Sequence, residues 1–107
     1  MLESKYQSDL IKKIRKVIEP DGYVLKLDSG YIQGLPDVLV IYKNRWGALE
    51  CKRGRNDDQI QPNQEYYVCH LNALSFASFI NPFIEDEVLN DLYTALRVRR
   101  SRSPQSK

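Results

Sequence analysis

Cysteine is scarce in this chain, with only Cys51 and Cys69 among 107 residues. Two thiols so far apart cannot form the multi-bridge framework of a small secreted domain or the clustered spacing of a structural zinc site. Both are read as reduced thiols packed as small hydrophobes. Histidine is scarcer still: His70 stands alone. It falls on an expected helix away from the charged motif described below and is read as a surface or packing residue rather than a general base. No apolar run approaches the roughly 20 residues of a membrane span. The opening Met1-Leu2-Glu3-Ser4-Lys5 is acidic at its third position and has no apolar signal core. These absences lead to the expectation of a soluble, cytoplasmic protein with no membrane partner. The chain also has no internal repeat, and no helix carries the basic and amide residues that major-groove readout of a base sequence needs.

The chain has the length of one domain with a single core, and its 42% hydrophobic content supports a folded globule. The formal charge of +2 conceals a division, because Arg97, Arg99, Arg100, Arg102 and Lys107 all lie at the C-terminal end. Residues 1–96 hold eleven basic against fourteen acidic side chains, a net of −3. A protein that merely coats nucleic acid needs a basic surface throughout, since phosphate neutralisation supplies its affinity. A mildly acidic globule suggests instead carboxylates kept for a divalent cation. Residues 1–98 are read as the domain, and residues 99–107 as a basic tail with nothing apolar to bury, expected to be disordered.

Periodicity predicts seven elements in the order α-β-β-β-α-β-α. Tyr6, Leu10, Ile14, Val17 and Ile18 recur at helical spacing over residues 4–18, with Ser4 and Gln7 resembling a capping box. Pro20-Asp21-Gly22 ends that helix and Tyr23 to Leu27 forms a strand. Val38 to Tyr42 is a second strand. Asn44-Arg45-Trp46-Gly47 turns the chain, and Ala48 to Lys52 returns antiparallel to it, with Trp46 in the turn read as capping the core edge in preference to stacking on a base. Pro62 and Asn63 start a helix running over Gln64 to Asn72, with Tyr67, Val68 and Leu71 inward. Ser75 to Ile80 is the last strand, broken by Asn81-Pro82. The final helix covers residues 84–98 with Val88, Leu89, Leu92, Tyr93 and Leu96 inward. Its Glu85, Asp86 and Glu87 oppose the helix dipole and are assigned to helix stability.

The chemistry concentrates in Gly34-Leu35-Pro36-Asp37 and Glu50-Cys51-Lys52. Side chains alternate across a strand, so Glu50 and Lys52 share a face and Cys51 points away. Asp37 at the mouth of the neighbouring strand adds a second carboxylate. Phosphodiester hydrolysis needs an activated water, neutralisation of the non-bridging oxygens and stabilisation of the leaving alkoxide. Two carboxylates supply hard oxygen ligands for magnesium while leaving positions for water and phosphate. The Lys52 ammonium can orient the water, lower its pKa or hold the phosphate. Gly34 and Pro36 are read as shaping the strand entry and letting backbone approach substrate.

Glu3 before the first helix, Gly-x-Pro-Asp leading into a strand, Glu-x-Lys on the next and Gln64 on the following helix together resemble the PD-(D/E)XK nuclease superfamily. Within it the chain is most similar to the small stand-alone VRR-Nuc enzymes, which are related to Holliday-junction resolvases. The resemblance spans about residues 3–80. It implies a restriction-endonuclease-like α/β core, a mixed central sheet flanked by helices. It also implies the Cys51 backbone carbonyl as a third metal ligand beside Asp37 and Glu50, and Gln64 as a support for Lys52 and water. Gln59 and Gln61 lie near Gln64, which is preferred for its place after Pro62-Asn63. Glu3 would hold a second metal or an ordered water. The implied activity is magnesium-dependent cleavage of DNA, with manganese able to substitute, on a branched or distorted duplex, by a homodimer. Lys12, Lys13, Lys16, Arg53 and Arg55 are the candidates for phosphate contact. Two alternatives stand beside this: a catalytically silent DNA-binding module of the same fold, and a restriction-type endonuclease reading a short sequence.

Overall fold

The computed structural model describes residues 3–28, 30–54 and 60–99, with Glu3 described for its backbone alone. The element order is the expected one: α1 (Glu3–Ile18), β1 (Gly22–Lys26), β2 (Val38–Tyr42), β3 (Arg45–Cys51), α2 (Pro62–Leu74), β4 (Phe76–Ile80) and α3 (Glu85–Leu96). The four strands form one sheet in the order β1-β2-β3-β4. β1, β2 and β3 pair antiparallel, and β3 pairs with β4 in parallel, with α2 as the crossover between them. The sheet is therefore mixed. None of its helices is long and apolar enough to cross a membrane, among the described residues.

Alternation along the strands assigns each helix to a face. Val38, Val40 and Tyr42 of β2, with Leu49 and Cys51 of β3, point to one face and form the main core with α1 and α3. From α1 this core takes Tyr6, Leu10, Ile14 and Ile18, a strict four-residue repeat. Val17 stays 36% exposed, contrary to the sequence expectation. It lies about 100° of helical turn from Ile18, and the stripe through every fourth residue already covers the sheet. All five residues expected inward on α3 are buried. On the other face Ala48 and Ala77 pack under Val68 of α2, with Leu71, Trp46 and Phe79 partly buried around them. Tyr67 is only half-buried.

Several boundaries differ from expectation. The β2–β3 turn is two residues, Lys43 and Asn44, because Tyr42 pairs directly with Arg45. Lys43 takes φ 55°, the left-handed conformation that suits the twist of a two-residue hairpin. Trp46 consequently sits inside β3 rather than in the turn. α1 begins at Glu3, so Ser4 lies within the helix rather than capping it, and Gln7 is buried. α2 starts at Pro62, the first helical position, where the missing proline N–H costs no hydrogen bond. At the far end of α3, Arg97 adopts φ 60° and the Val98 N–H reaches the Tyr93 carbonyl, closing the helix in a Schellman-type cap. The helix thus ends before residue 98. The tail expectation concerns residues 100–107 above all, which lie outside the described residues.

Asn81 and Glu85 hold the start of α3. The buried Asn81 carboxamide oxygen accepts from the N–H groups of Phe83 (2.8 Å) and Ile84 (3.0 Å), turning the chain out of β4. Glu85 accepts the Tyr6 hydroxyl hydrogen bond at 2.9 Å and pairs with the Lys13 ammonium, which ties α1 to α3. Its role therefore extends beyond opposing the helix dipole. Burial and the Glu85 contact together push the Tyr6 phenol well above its usual range.

The core assignment has a direct check in denaturant unfolding. Leu92→Ala, at a fully buried position, is expected to lose about 2–5 kcal/mol, whereas Val17→Ala is expected within about 0.5 kcal/mol of wild type. A large loss at Val17 would contradict the helix face described.

Candidate active site

The site forms where β2 begins and β3 ends. Val38 pairs with Leu49, so Asp37, one residue earlier, falls opposite Glu50 on the α2 face of the sheet. Backbone hydrogen bonds fix both strand ends there. The Leu27 N–H bonds the Asp37 carbonyl (2.8 Å), and the Lys52 N–H bonds the Ile80 carbonyl (2.8 Å). The Asp37 carboxylate accepts the Cys51 N–H at 2.9 Å. In an extended strand the N–H and C=O of one residue face the same edge, so the Cys51 carbonyl is turned towards β2 as well. Its side chain is fully buried in the main core, as the alternation predicted.

Glu50 is 2% exposed and Lys52 8%. Two charges this far from water need close partners, and Gln64 on the first turn of α2 meets both. The Lys52 ammonium donates to Gln64 Oε1 at 2.8 Å, and Gln64 Nε2 donates to Glu50 Oε2 at 2.9 Å. The ammonium lies 3.8 Å from that same Glu50 oxygen. Gln64 Oε1 also accepts the Gln61 N–H at 3.0 Å, the capping-box contact that starts α2. One carboxamide thus donates to an anion, accepts from a cation and caps a helix, which fixes which of its ends is oxygen. Gln64, rather than Gln61, is the glutamine that reaches the charged pair. Gln59 lies outside the described residues.

Beside these groups opens a cleft of about 420 Å³, bordered by Asp37, Glu50 and Gln64 and by Gln33, Gly34 and Asn63. Gly34 packs tightly against Asn63 in this lining. At φ 96° a Cβ on this residue would stand 2.5 Å from Asn63 Cβ and 2.9 Å from the Asn63 carbonyl carbon. The close approach that glycine permits here is to the first turn of α2. Pro36 is fully buried under the same loop. Gln33 and Asn63 were not singled out from sequence; the available signal was carboxamides flanking the two motif segments.

Asp37 is pushed above the usual carboxylate range by burial, against the opposing effects of the Cys51 N–H, Lys52 and Lys26. Lys26, the exposed last residue of β1, is thereby a second cation whose field reaches the site. Among the described residues no group of three or more His, Cys, Asp or Glu side chains is placed to hold a metal. The donors present nevertheless fit magnesium, which binds one or two carboxylates and keeps several waters.

The remaining candidates are distributed unevenly. α1 begins at this end of the sheet: Tyr6 bonds Glu85, which follows Ile80, the pairing partner of Cys51. Glu3 is the first residue of α1, and its side chain lies outside the described residues. Lys13 is not a free phosphate contact, because its ammonium is engaged by Glu85, which raises its pKa. Lys12 and Lys16 are exposed on α1, across the sheet from α2; Arg53 is exposed just beyond Lys52. Arg55 lies outside the described residues. Comparison of the chain with family models, curated proteins and solved structures returned no match.

The raised Asp37 pKa sets a sign for stability. The folded state holds the Asp37 proton more tightly than the unfolded chain, so stability falls as pH rises through the interval between the two values. In metal-free buffer, Asp37→Asn is expected to melt above wild type at pH 8, with the gap closing as pH drops below the ordinary carboxylate range. A lower melting temperature for the variant at pH 8 would show that the neighbouring cations outweigh burial.

Proposed function

We propose that this protein is a magnesium-dependent DNA endonuclease that hydrolyses phosphodiester bonds in branched or distorted duplex. The observation that carries the reading is the Glu50–Gln64–Lys52 bridge set against Asp37 on the wall of one cleft. A carboxylate pair with a buried, oriented ammonium is costly to fold and has no evident packing purpose. Asp37 and Glu50 would hold the magnesium ion with the Cys51 carbonyl, with manganese able to replace it. When bound, the ion would neutralise phosphate charge and help activate water. Lys52, held by Gln64, would offer its positive charge to a phosphate oxygen or the attacking water. Gln64 keeps that ammonium in place. The motif resemblance to the PD-(D/E)XK superfamily, and within it to VRR-Nuc enzymes, supports DNA as substrate and a branched structure as its preferred form. Of the candidate cations, Arg53 is exposed just beyond Lys52, and Lys12 and Lys16 are exposed on the α1 face across the sheet, where they would meet a more distant part of a duplex.

A homodimer is part of the same reading. α2 covers β3 and β4, leaving Tyr23 and Leu25 of β1 68% and 43% exposed on that face. Beside them Leu39, Ile41 and Trp46 line an apolar groove of about 500 Å³. A contiguous apolar patch on so small a protein favours association, and a self-complementary patch yields a twofold dimer. Sedimentation is expected to show a dimer that Ile41→Lys converts to monomer; a monomeric wild type would refute it.

Activity is tested on labelled four-way junction, flap and linear duplex with magnesium, manganese or EDTA. Cutting is expected only with metal and preferentially on branched substrates. Asp37→Ala and Lys52→Ala, shown folded by circular dichroism, are expected to lose at least about 100-fold in rate. Metal-independent cutting, or full activity of Asp37→Ala, would overturn the assignment.

A further inference from the structure

The outer surface of α2 carries a feature that the cleavage chemistry does not use. Pro62, Tyr66 and His70 are spaced four residues apart and so fall on one line along the helix. With Glu65 and Cys69 they border a groove of about 480 Å³. Pro62 also borders the candidate cleft, so the two depressions are neighbours. Tyr66 remains 59% exposed in this position. Its ring is braced rather than loose: Tyr67 meets it edge-on with centroids 5.0 Å apart at 78°, and His70 lies tilted at 5.7 Å and 53°. These ring contacts order Tyr66, and its exposure keeps part of the ring accessible.

We propose that this groove is a subsite for an unpaired nucleotide of the DNA strand entering the cleft, its base stacking on Tyr66. The inference rests on the nuclease reading and narrows its substrate to DNA with a single-stranded arm beside the scissile bond, such as a flap. An open aromatic face gains from a base only when that base is not already stacked within a duplex. Such a contact accepts any base, in keeping with a chain that lacks a base-reading helix. Glu65 on the groove wall repels phosphate, so the strand presents a base there and not its backbone. Cys69 supplies a built-in reporter. It is the exposed thiol of the two, and Cys51 is buried.

Stacking is measured without turnover, in EDTA, with a single-stranded oligodeoxynucleotide carrying 2-aminopurine. Wild type is expected to bind it and quench its fluorescence. Tyr66→Ala is expected to weaken binding about 5- to 150-fold, the equivalent of about 1–3 kcal/mol for one stacked base. Tyr66→Phe, which keeps the ring, is expected to match wild type. Saturating oligonucleotide is expected to slow alkylation of Cys69 several-fold. The subsite is overturned if wild type does not bind the single strand, if Tyr66→Ala binds like wild type, if Tyr66→Phe loses as much as alanine, or if Cys69 reacts at an unchanged rate. Parallel cleavage assays in magnesium separate the two readings. Stacking that persists without hydrolysis leaves the subsite standing and removes the nuclease, whereas hydrolysis indifferent to Tyr66 does the reverse.

Discussion

The carboxamide of Gln64 touches both charged groups at the end of β3, and the architecture of the site follows from that contact. Glu50 and Lys52 leave water when β3 becomes an interior strand of the sheet, and neither could be buried alone without a large desolvation cost. Their direct separation of 3.8 Å is long for a hydrogen bond. Gln64 closes the gap by donating to one and accepting from the other. Because the same oxygen caps α2 through the Gln61 N–H, the helix start and the charged pair are set by one group. Pro62 at the first helical position and Gly34 against Asn63 fix the rest of that junction. The cleft lies among these contacts and inherits their rigidity.

The distribution of charge has a similar logic. A net of −3 over residues 1–96 would be unusual for a protein that meets phosphate, and the fold withdraws one more cation by engaging Lys13 with Glu85. What remains near the cleft is a small number of placed cations: Lys52 bound to Gln64, Lys26 acting on Asp37 and Arg53 exposed beyond β3. A bound divalent ion would complete this balance, and it would reverse the effect of burial on Asp37 by favouring the carboxylate.

Much of the fold was legible because each element buries one face at its own period. Tyr6, Leu10, Ile14 and Ile18 mark α1, and Val88, Leu89, Leu92, Tyr93 and Leu96 mark α3. The errors fell where periodicity carries little information. Asn44-Arg45-Trp46-Gly47 contains the residues of a turn, yet the reversal uses Lys43 and Asn44, since strand register and twist select the turn and Lys43 tolerates a positive φ. Val17 satisfies helical spacing and remains exposed because the core takes the stripe Tyr6, Leu10, Ile14 and Ile18, and Val17 lies beside it. In the site, alternation was enough to put Glu50 and Lys52 on one side and Cys51 on the other. Choosing between Gln61 and Gln64 needed the helix start, which Pro62 marked.

The sequence by itself determined the kind and order of the seven elements and put Glu50 and Lys52 on one face of their strand, because these depend on side-chain period; the register that sets Asp37 opposite Glu50 came from the two-residue turn. Only the tertiary structure decided which partners those groups meet. Gln64 reaches Lys52 across 12 residues of chain, Glu85 captures Lys13 from 72 residues away, and Gly34 admits Asn63. Such contacts arise when helices dock on opposite faces of a sheet, and no local pattern encodes where a docked helix comes to rest. The same docking leaves Tyr66 open beside the cleft and Tyr23 and Leu25 uncovered on β1. A helix spans only part of a four-stranded sheet, and the surface it leaves bare depends on where it packs.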